Sequence, residues 1–542
     1  MPAAEEECTT DPFAMADIRK QAAERIEKKR GTMGRAKKQM VVSSHRFATE
    51  AGRSILRAGG SAADAFIAAT LVEDVVFPGV TSTAGLAGIA VFDAKTKKVT
   101  ILHGGLGDPI DPAKRWKRGD TAKGKEVLIP GAPAAYVELS KRFGKKKLSE
   151  LVERAATHAE GYVLDKLFAR SIAGSVKRLS GSPAFVKTYM KNGAPLAEGE
   201  RLERPEMART LRAFGKDPSF FYKGAWPAKA VAAANAAGGT LDVKDFSTYQ
   251  GVEVTDAVHA HIGENDLYAG GYGGVMLLME LMTLDRLRTR AESPAKSQEA
   301  LERLVRVFRA VNQQPVLYDR DVGTDTALWS DRIAKLMIDS NGPKKAPPAG
   351  THSSAVAVVD AEGNVVVGTH TIEALNWGEG FIIDGIPLPT AASIGMDDAT
   401  IQKKRMRIDP LTDTIVLHDG APVAALAVFG SGLAPADVQV LDGVLARGLD
   451  AEEAVLEPRV GFYSFDIDTN KTDMTTNSVD PRFEPRMLCL AAKHGVKLTP
   501  SMPGMPAGYV DTGFPTLVVW RDGEIHGMPP DPAHIDGLAA GD

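Results

Sequence analysis

Cysteine is nearly absent from this chain: its 542 residues hold two, Cys8 and Cys489. Two thiols so far apart in sequence make no disulfide framework, and no Cys/His spacing of the usual zinc-binding kinds accompanies them. Aromatic residues are also scarce, at 6%. Neither sign of charge dominates, because 65 Lys and Arg face 69 Asp and Glu, a net charge of −4. So weak a field excludes a dedicated nucleic-acid or membrane-surface binder. No apolar run approaches the roughly 18 residues that read as a bilayer span. The opening MPAAEEECTTDPFAMADIRKQAAERIEKKRG lacks the apolar stretch of a secretory signal, so the expected compartment is the reducing cytoplasm. What remains has the proportions of a globular enzyme and excludes a disordered, collagenous or coiled-coil chain.

Three stretches differ in texture. Residues 1–39 read as a charged N-terminal arm, with Lys28, Lys29, Arg30, Arg35, Lys37 and Lys38 on a solvated face. Residues 40–350 begin with a short strand and a helix over Ala51–Ala58, stopped by Gly59 and Gly60. An Ala-rich helix follows from Ser61 towards Val76. Alternating residues at Ile89–Asp93 and Lys98–Leu102 predict a hairpin, and 148–300 is mostly helical by apolar periodicity. Val252–Ile262 reads as one strand within it. A polar segment ending in Pro343–Gly350 is the best linker. Residues 351–542 then turn sheet-rich: a hairpin with its turn at Ala361–Asn364, strands at Thr414–Leu417 and Val423–Phe429, a helix over Ala434–Ala446, and a last hairpin around Asp522. Helices in the first part and strands in both predict stacked sheets covered by helices, with 40–350 and 351–542 sharing one body.

The junction Gly350-Thr351-His352 carries the chemistry. A hydroxyl at the start of a core strand, behind a cleavable linker, is what an N-terminal nucleophile hydrolase requires. The hydroxyl attacks the preceding carbonyl, the chain breaks, and the new α-amine becomes the base for the same hydroxyl. An α-amine suits that task because its unperturbed pKa is about 7.7–8.0. The plainer alternative is a threonine capping a strand. Elsewhere, Gly270-Gly271-Tyr272-Gly273-Gly274 lacks the Lys-Ser/Thr ending of a phosphate loop. His259 and His261 share a strand face but have no third ligand in view, so they read as surface histidines rather than a metal site. Glu302–Arg309 reads as a charged helix face.

The stretch Thr351-His352-Ser353-Ser354 through Asp360, with Glu362-Gly363-Asn364, resembles the small-subunit start of the γ-glutamyltransferase family. Thr369-His370-Thr371 and Trp377-Gly378-Glu379-Gly380 resemble that family's Thr-x-Thr and aromatic-Gly-x-Gly. Ile55–Ala65, Pro130-Gly131, Phe220–Gly224 and Ala237-Gly238-Gly239 fall in family order, so the resemblance spans roughly 40–525. It implies an α+β fold, a four-layer αββα sandwich of the N-terminal nucleophile type, cut at Gly350/Thr351 into a heterodimer. Thr351 is the implied nucleophile. Counting back from Asp360 puts it on Ser353 instead, two residues along and on the same strand face. Thr371 would orient the hydroxyl, and amides near Gly430-Ser431-Gly432 would hold the oxyanion.

Departures from the family pattern argue for changed specificity. Asp108 stands where the family has a carboxylate-binding Arg, Asp409 falls in its Ser-Ser stretch, and Glu373 replaces an Asn. A carboxylate where a cation gripped a carboxylate reverses the local preference. With Ser431 these residues form the expected substrate contacts, although Asp108 reads equally well as a solvated loop acid. The expectation is thus a cofactor-free amidohydrolase or acyltransferase acting on a small non-γ-glutamyl amide, with possible assembly of processed heterodimers into a homo-oligomer. Its rivals are an uncleaved binding or assembly protein, and a pocket whose acids run a different reaction.

Overall fold

The computed structural model describes residues 8, 16–287, 292–311, 353–374, 376–393, 405–407, 410–430, 432–461, 464–466, 471–473, 476–500, 512–530 and 536–542. Its frame is two seven-stranded sheets. The strands are β1 (Gly34–Ala36), β2 (Met40–Ser43), β3 (Leu86–Asp93), β4 (Lys98–Gly104), β5 (Glu253–Asp256), β6 (Val258–Ile262) and β7 (Asn265–Ala269). After the linker come β8 (Ser354–Val359), β9 (Val365–Thr371), β10 (Thr414–His418), β11 (Ala421–Phe429), β12 (Phe514–Arg521), β13 (Glu524–Met528) and β14 (Leu538–Gly541). One sheet runs β1-β13-β12-β11-β10-β7-β6 and the other β14-β2-β8-β9-β3-β4-β5. Every neighbouring pair is antiparallel.

Period-two patterning decides which way each strand faces. On β8 and β9, Ala355, Ala357, Val359, Val365 and Val367 pack between the two sheets. Their neighbours Val356, Val358 and Val366 face the other way, into a core with the helices. Small Ala and Val side chains on the inner faces let the sheets stack closely. The helices on that outer side are α2 (Arg46–Arg57), α3 (Ala62–Val76), α4 (Ala132–Phe143) and α5 (Leu148–Ala159). The opposite sheet is covered by α6 (Gly271–Arg286), α7 (Gln298–Val311) and α8 (Leu433–Arg447), through Leu277, Leu281, Phe308, Val438 and Leu441. The layers run helix, sheet, sheet, helix: an αββα sandwich.

Local signals explain most element ends. Ser61 and Asp64 form a reciprocal capping box, with Ser61 N–H donating to Asp64 Oδ2 at 2.9 Å and Asp64 N–H to Ser61 Oγ at 3.2 Å. Such caps contribute about 1 kcal/mol. Every residue of α3 is buried, as its Ala-rich composition requires. The hairpins expected at 89–102, around 361–364 and around 522 all form. The single strand expected over 252–262 does not. It is broken at Ala257, with β5 in one sheet and β6 in the other. The alternation continues through the break, so only tertiary pairing reveals the crossing.

Cys8 and Cys489 also differ from expectation: they form a disulfide, with Cα atoms 5.7 Å apart although 481 residues separate them in sequence. Cys489 sits on α9 (Pro485–Lys493), and the preceding arm contributes α1 (Ala16–Glu27), whose Arg19 Nε donates to Pro481 O at 2.8 Å. Folding brings the two thiols together, a proximity that spacing alone could not reveal.

Candidate active site

The site is assembled where β8 begins and β9 ends. Ser354, the first residue of β8, pairs with His370. Continuing that register by one residue sets Ser353 opposite Thr371. Both fall on the alternation of Ala355 and Val367, so their hydroxyls face the space between the sheets. Ser353 is 6% exposed and Thr371 is fully buried. Thr371 Oγ accepts the N–H of Glu373 at 2.8 Å. Glu373 takes a left-handed backbone, φ 55°, which folds the chain back on that hydroxyl. Two residues upstream on the same face, Thr369 Oγ donates to Asp413 Oδ1 at 2.8 Å.

Across the inter-sheet space Thr369 Oγ also lies 3.4 Å from Val428 O of β11, the strand that leads into α8. Gly430 has φ 98°, and Gly432 caps the helix with φ −106° and ψ 51° and no side-chain cap bond. Leu433 and Ala434 are therefore first-turn residues whose N–H groups have no intrahelical acceptor. Both are buried, and the positive end of the helix dipole lies with them. Gly513, at φ 70°, abuts Gly432 O and Ala436, where any Cβ would collide.

Asp108 is neither solvated nor bare. It is fully buried and engages Arg407 through two bonds, Nε to Oδ2 and Nη2 to Oδ1, each 2.9 Å. Arg407 Nη1 also donates to Ala392 O at 2.8 Å. The pair ties the 405–407 segment to the loop after β4, and its charges cancel within the protein. Trp377 of the aromatic-Gly-x-Gly motif is an anchor: fully buried at φ 57°, it meets Phe185 and Tyr189 edge-on, with ring centroids 5.2 and 5.0 Å away.

Thr351, Asp409 and Ser431 lie outside the described residues. Of the other expected site residues, Ser353, Thr371 and Glu373 gather at one place, and Gly432 caps α8, the helix that follows β11. His259 and His261 are on β6, the edge strand, both exposed and both bonded to Asp266, at 3.1 and 2.9 Å. Among the described residues no group of three or more His, Cys, Asp or Glu is arranged to hold a metal ion. Sequence reasoning missed Asp413 and gave no role to Thr369, although Thr369 stands in the Thr-x-Thr motif. The i, i+2 spacing of Thr369 and Thr371 could have suggested one, but nothing marks Asp413 as the partner of a residue 44 positions away.

The gamma-glutamyltranspeptidase family model matches residues 48–503. The chain belongs to that family. Among similar proteins, the glutathione hydrolase-like YwrD proenzyme of Bacillus subtilis is 25% identical over 449 residues, 78% of this chain and 84% of the relative. The acylase ACY 1 proenzyme of Pseudomonas sp. (strain V22) is 26% identical over 491 residues, 80% of this chain and 84% of the relative. Cephalosporin acylase from Bacillus halodurans superposes with a TM-score of 0.80 at 19% identity, covering 95% of this chain and 97% of its own, and so shares the fold. A gamma-glutamyltranspeptidase-family chain with hydrolase and acylase relatives is an enzyme of amide bonds.

Proposed function

We propose that this chain is a self-processing N-terminal-nucleophile amidohydrolase or acyltransferase whose reactive residue is Ser353. The observation that carries the proposal is the β8–β9 register, which supports a Ser353 hydroxyl facing the Thr371 hydroxyl. In the first step Ser353 Oγ attacks the carbonyl of His352. The peptide C–N bond breaks as an ester forms, and water hydrolyses that ester to leave a His352 carboxylate and a free Ser353 amine. In turnover that amine takes the proton as Oγ attacks the substrate amide. The Leu433 and Ala434 N–H groups receive the oxyanion, and the departing amine collects the proton. Water then releases the acyl group, or an acceptor amine takes it. Thr371 orients the nucleophile through its hydroxyl. The scheme draws on no metal or cofactor.

Thr351 is the second reading. Gly350 before it leaves the carbonyl open to attack, and His352 after it keeps the family's Thr-His pair. Cleavage itself is supported by the proenzyme designation of the relatives. The substrate is a small amide outside the γ-glutamyl class, supported by Glu373 beside Thr371 and by Arg407 being committed to Asp108 rather than to a ligand carboxylate. Asp409 and Ser431 complete the proposed contacts. The Cys8–Cys489 bond favours an oxidising compartment over the cytoplasm. Association of processed heterodimers into a homo-oligomer belongs to the same proposal.

Reducing, denaturing electrophoresis with N-terminal sequencing of the smaller band tests the scheme. A band beginning Ser-Ser-Ala, lost in Ser353→Ala and kept in Thr351→Ala, is expected. A band beginning Thr-His-Ser moves the role to Thr351, and a chain that stays whole while turning over ends the proposal.

A further inference from the structure

Behind the site, on the helix-facing side of β9, lies a fully buried charged group that the proposed chemistry does not use. His370 sits between two acids of α3, with Nε2 2.7 Å from Glu73 Oε2 and Nδ1 3.2 Å from Asp74 Oδ1. All three side chains are inaccessible to solvent or nearly so. Each acid also reaches a second element. Glu73 Oε1 accepts the N–H of Ser44, just past β2, at 2.8 Å, and Asp74 Oδ2 accepts the Thr83 hydroxyl at 3.0 Å. The Ser354 hydroxyl lies beside Glu73 without a well-aligned bond to it. The phenol of Tyr136 on α4 faces the same two acids.

These contacts fall on particular residues: Ser354 follows Ser353, and His370 precedes Thr371. Successive strand residues point to opposite faces, so holding Ser354 and His370 against α3 fixes Ser353 and Thr371 towards the inter-sheet space. We propose that His370, clamped by Glu73 and Asp74, is a positioning residue that sets the mutual phase of the two site hydroxyls by holding the ends of β8 and β9 on α3. This inference rests on the site assignment above.

The clamp needs the imidazolium, because a neutral ring cannot donate to both carboxylates at once. Burial alone pulls the His370 pKa down, but the hydrogen bonds and charges of Asp74 and Glu73 outweigh it and raise it to about 9. Burial in turn pushes Glu73 up, against the bond and charge of His370. The sign follows: with a raised folded-state pKa, the clamp's stabilisation is complete below the ordinary histidine range and is lost as pH rises through about 9.

The test compares wild type with His370→Gln and Glu73→Gln, using circular dichroism to check folding. Amide-exchange protection factors are measured at 354–356 and 369–372 between pH 7 and 10. In wild type, protection at these strand ends should fall about tenfold across pH 9 while the rest of the sheet is unchanged. In His370→Gln it should be low at every pH. Turnover should lose roughly 10–100-fold in kcat with KM kept, and the alkaline limb near 9 should disappear. Unchanged protection, or an alkaline limb that survives in folded His370→Gln, overturns the clamp. Should wild type show the exchange transition but no turnover on any amide, the clamp stands and the enzymatic reading falls. If all variants misfold, the imidazole 15N titration of wild type decides, and a ring that is neutral at pH 7 overturns the proposal.

Discussion

At the scale of single residues, the interior holds more ionisable chemistry than the site requires. Glu280 on α6 and Asp437 on α8 are fully buried, and their carboxylate oxygens form no well-aligned hydrogen bond among the described residues. Burial pushes both well above the usual carboxylate range, each acid's partner, Asp437 for Glu280 and Asp413 for Asp437, adding to the effect. They therefore fold as neutral acids. With folded pKa values raised, their stabilisation is whole below the unfolded value near 4 and is lost as pH climbs above it. Glu280→Gln and Asp437→Asn should thus raise the thermal midpoint at pH 8, by roughly 2–4 °C each, and leave it unchanged at pH 4. Scanning calorimetry at the two pH values checks this, and equal shifts at both would refute it. None of this was legible in the sequence. The Ala-rich α3 and the apolar α8 give no hint which acids turn inward, and Asp108 finds Arg407 only across 299 residues.

At the scale of elements, legibility was much better. The alternation in β8 and β9 and the turn between them could be read directly, and so could the start of α3 after Ser61. The start of α8 was read as a loop of glycine amides around Gly432, and Gly432 is the residue that caps the helix. The helix begins at Leu433, so the N–H groups of Leu433 and Ala434 are among its unbonded first-turn donors, the ones proposed above for the oxyanion. Proline is well suited to a first helical position, where its missing N–H breaks no helix bond. Leu433→Pro should therefore keep the fold and thermal midpoint while removing one proposed oxyanion donor, lowering kcat by about 10²–10³-fold with little change in KM. Steady-state kinetics on any accepted amide measures it. An active Leu433→Pro enzyme would place the oxyanion elsewhere.

At the scale of the whole molecule, the strand orders interleave the two sides of the cleavage region. The sheet containing Thr371 mixes strands from before and after residue 350, and the facing sheet sets four strands from after it between strands from before it. The proposed self-cleavage would therefore not divide the body, and the two pieces should copurify under native conditions. The disulfide carries this further, since the proposed cleavage would leave Cys8 in the larger piece and Cys489 in the smaller. Boiled in detergent without thiol, a fully matured sample should still run as a single species near 57.7 kDa, and it should split only on adding reductant or in Cys8→Ser. An unreduced gel would report an unprocessed protein at every stage of maturation, so a scientist relying on it would mistake a finished enzyme for its own precursor.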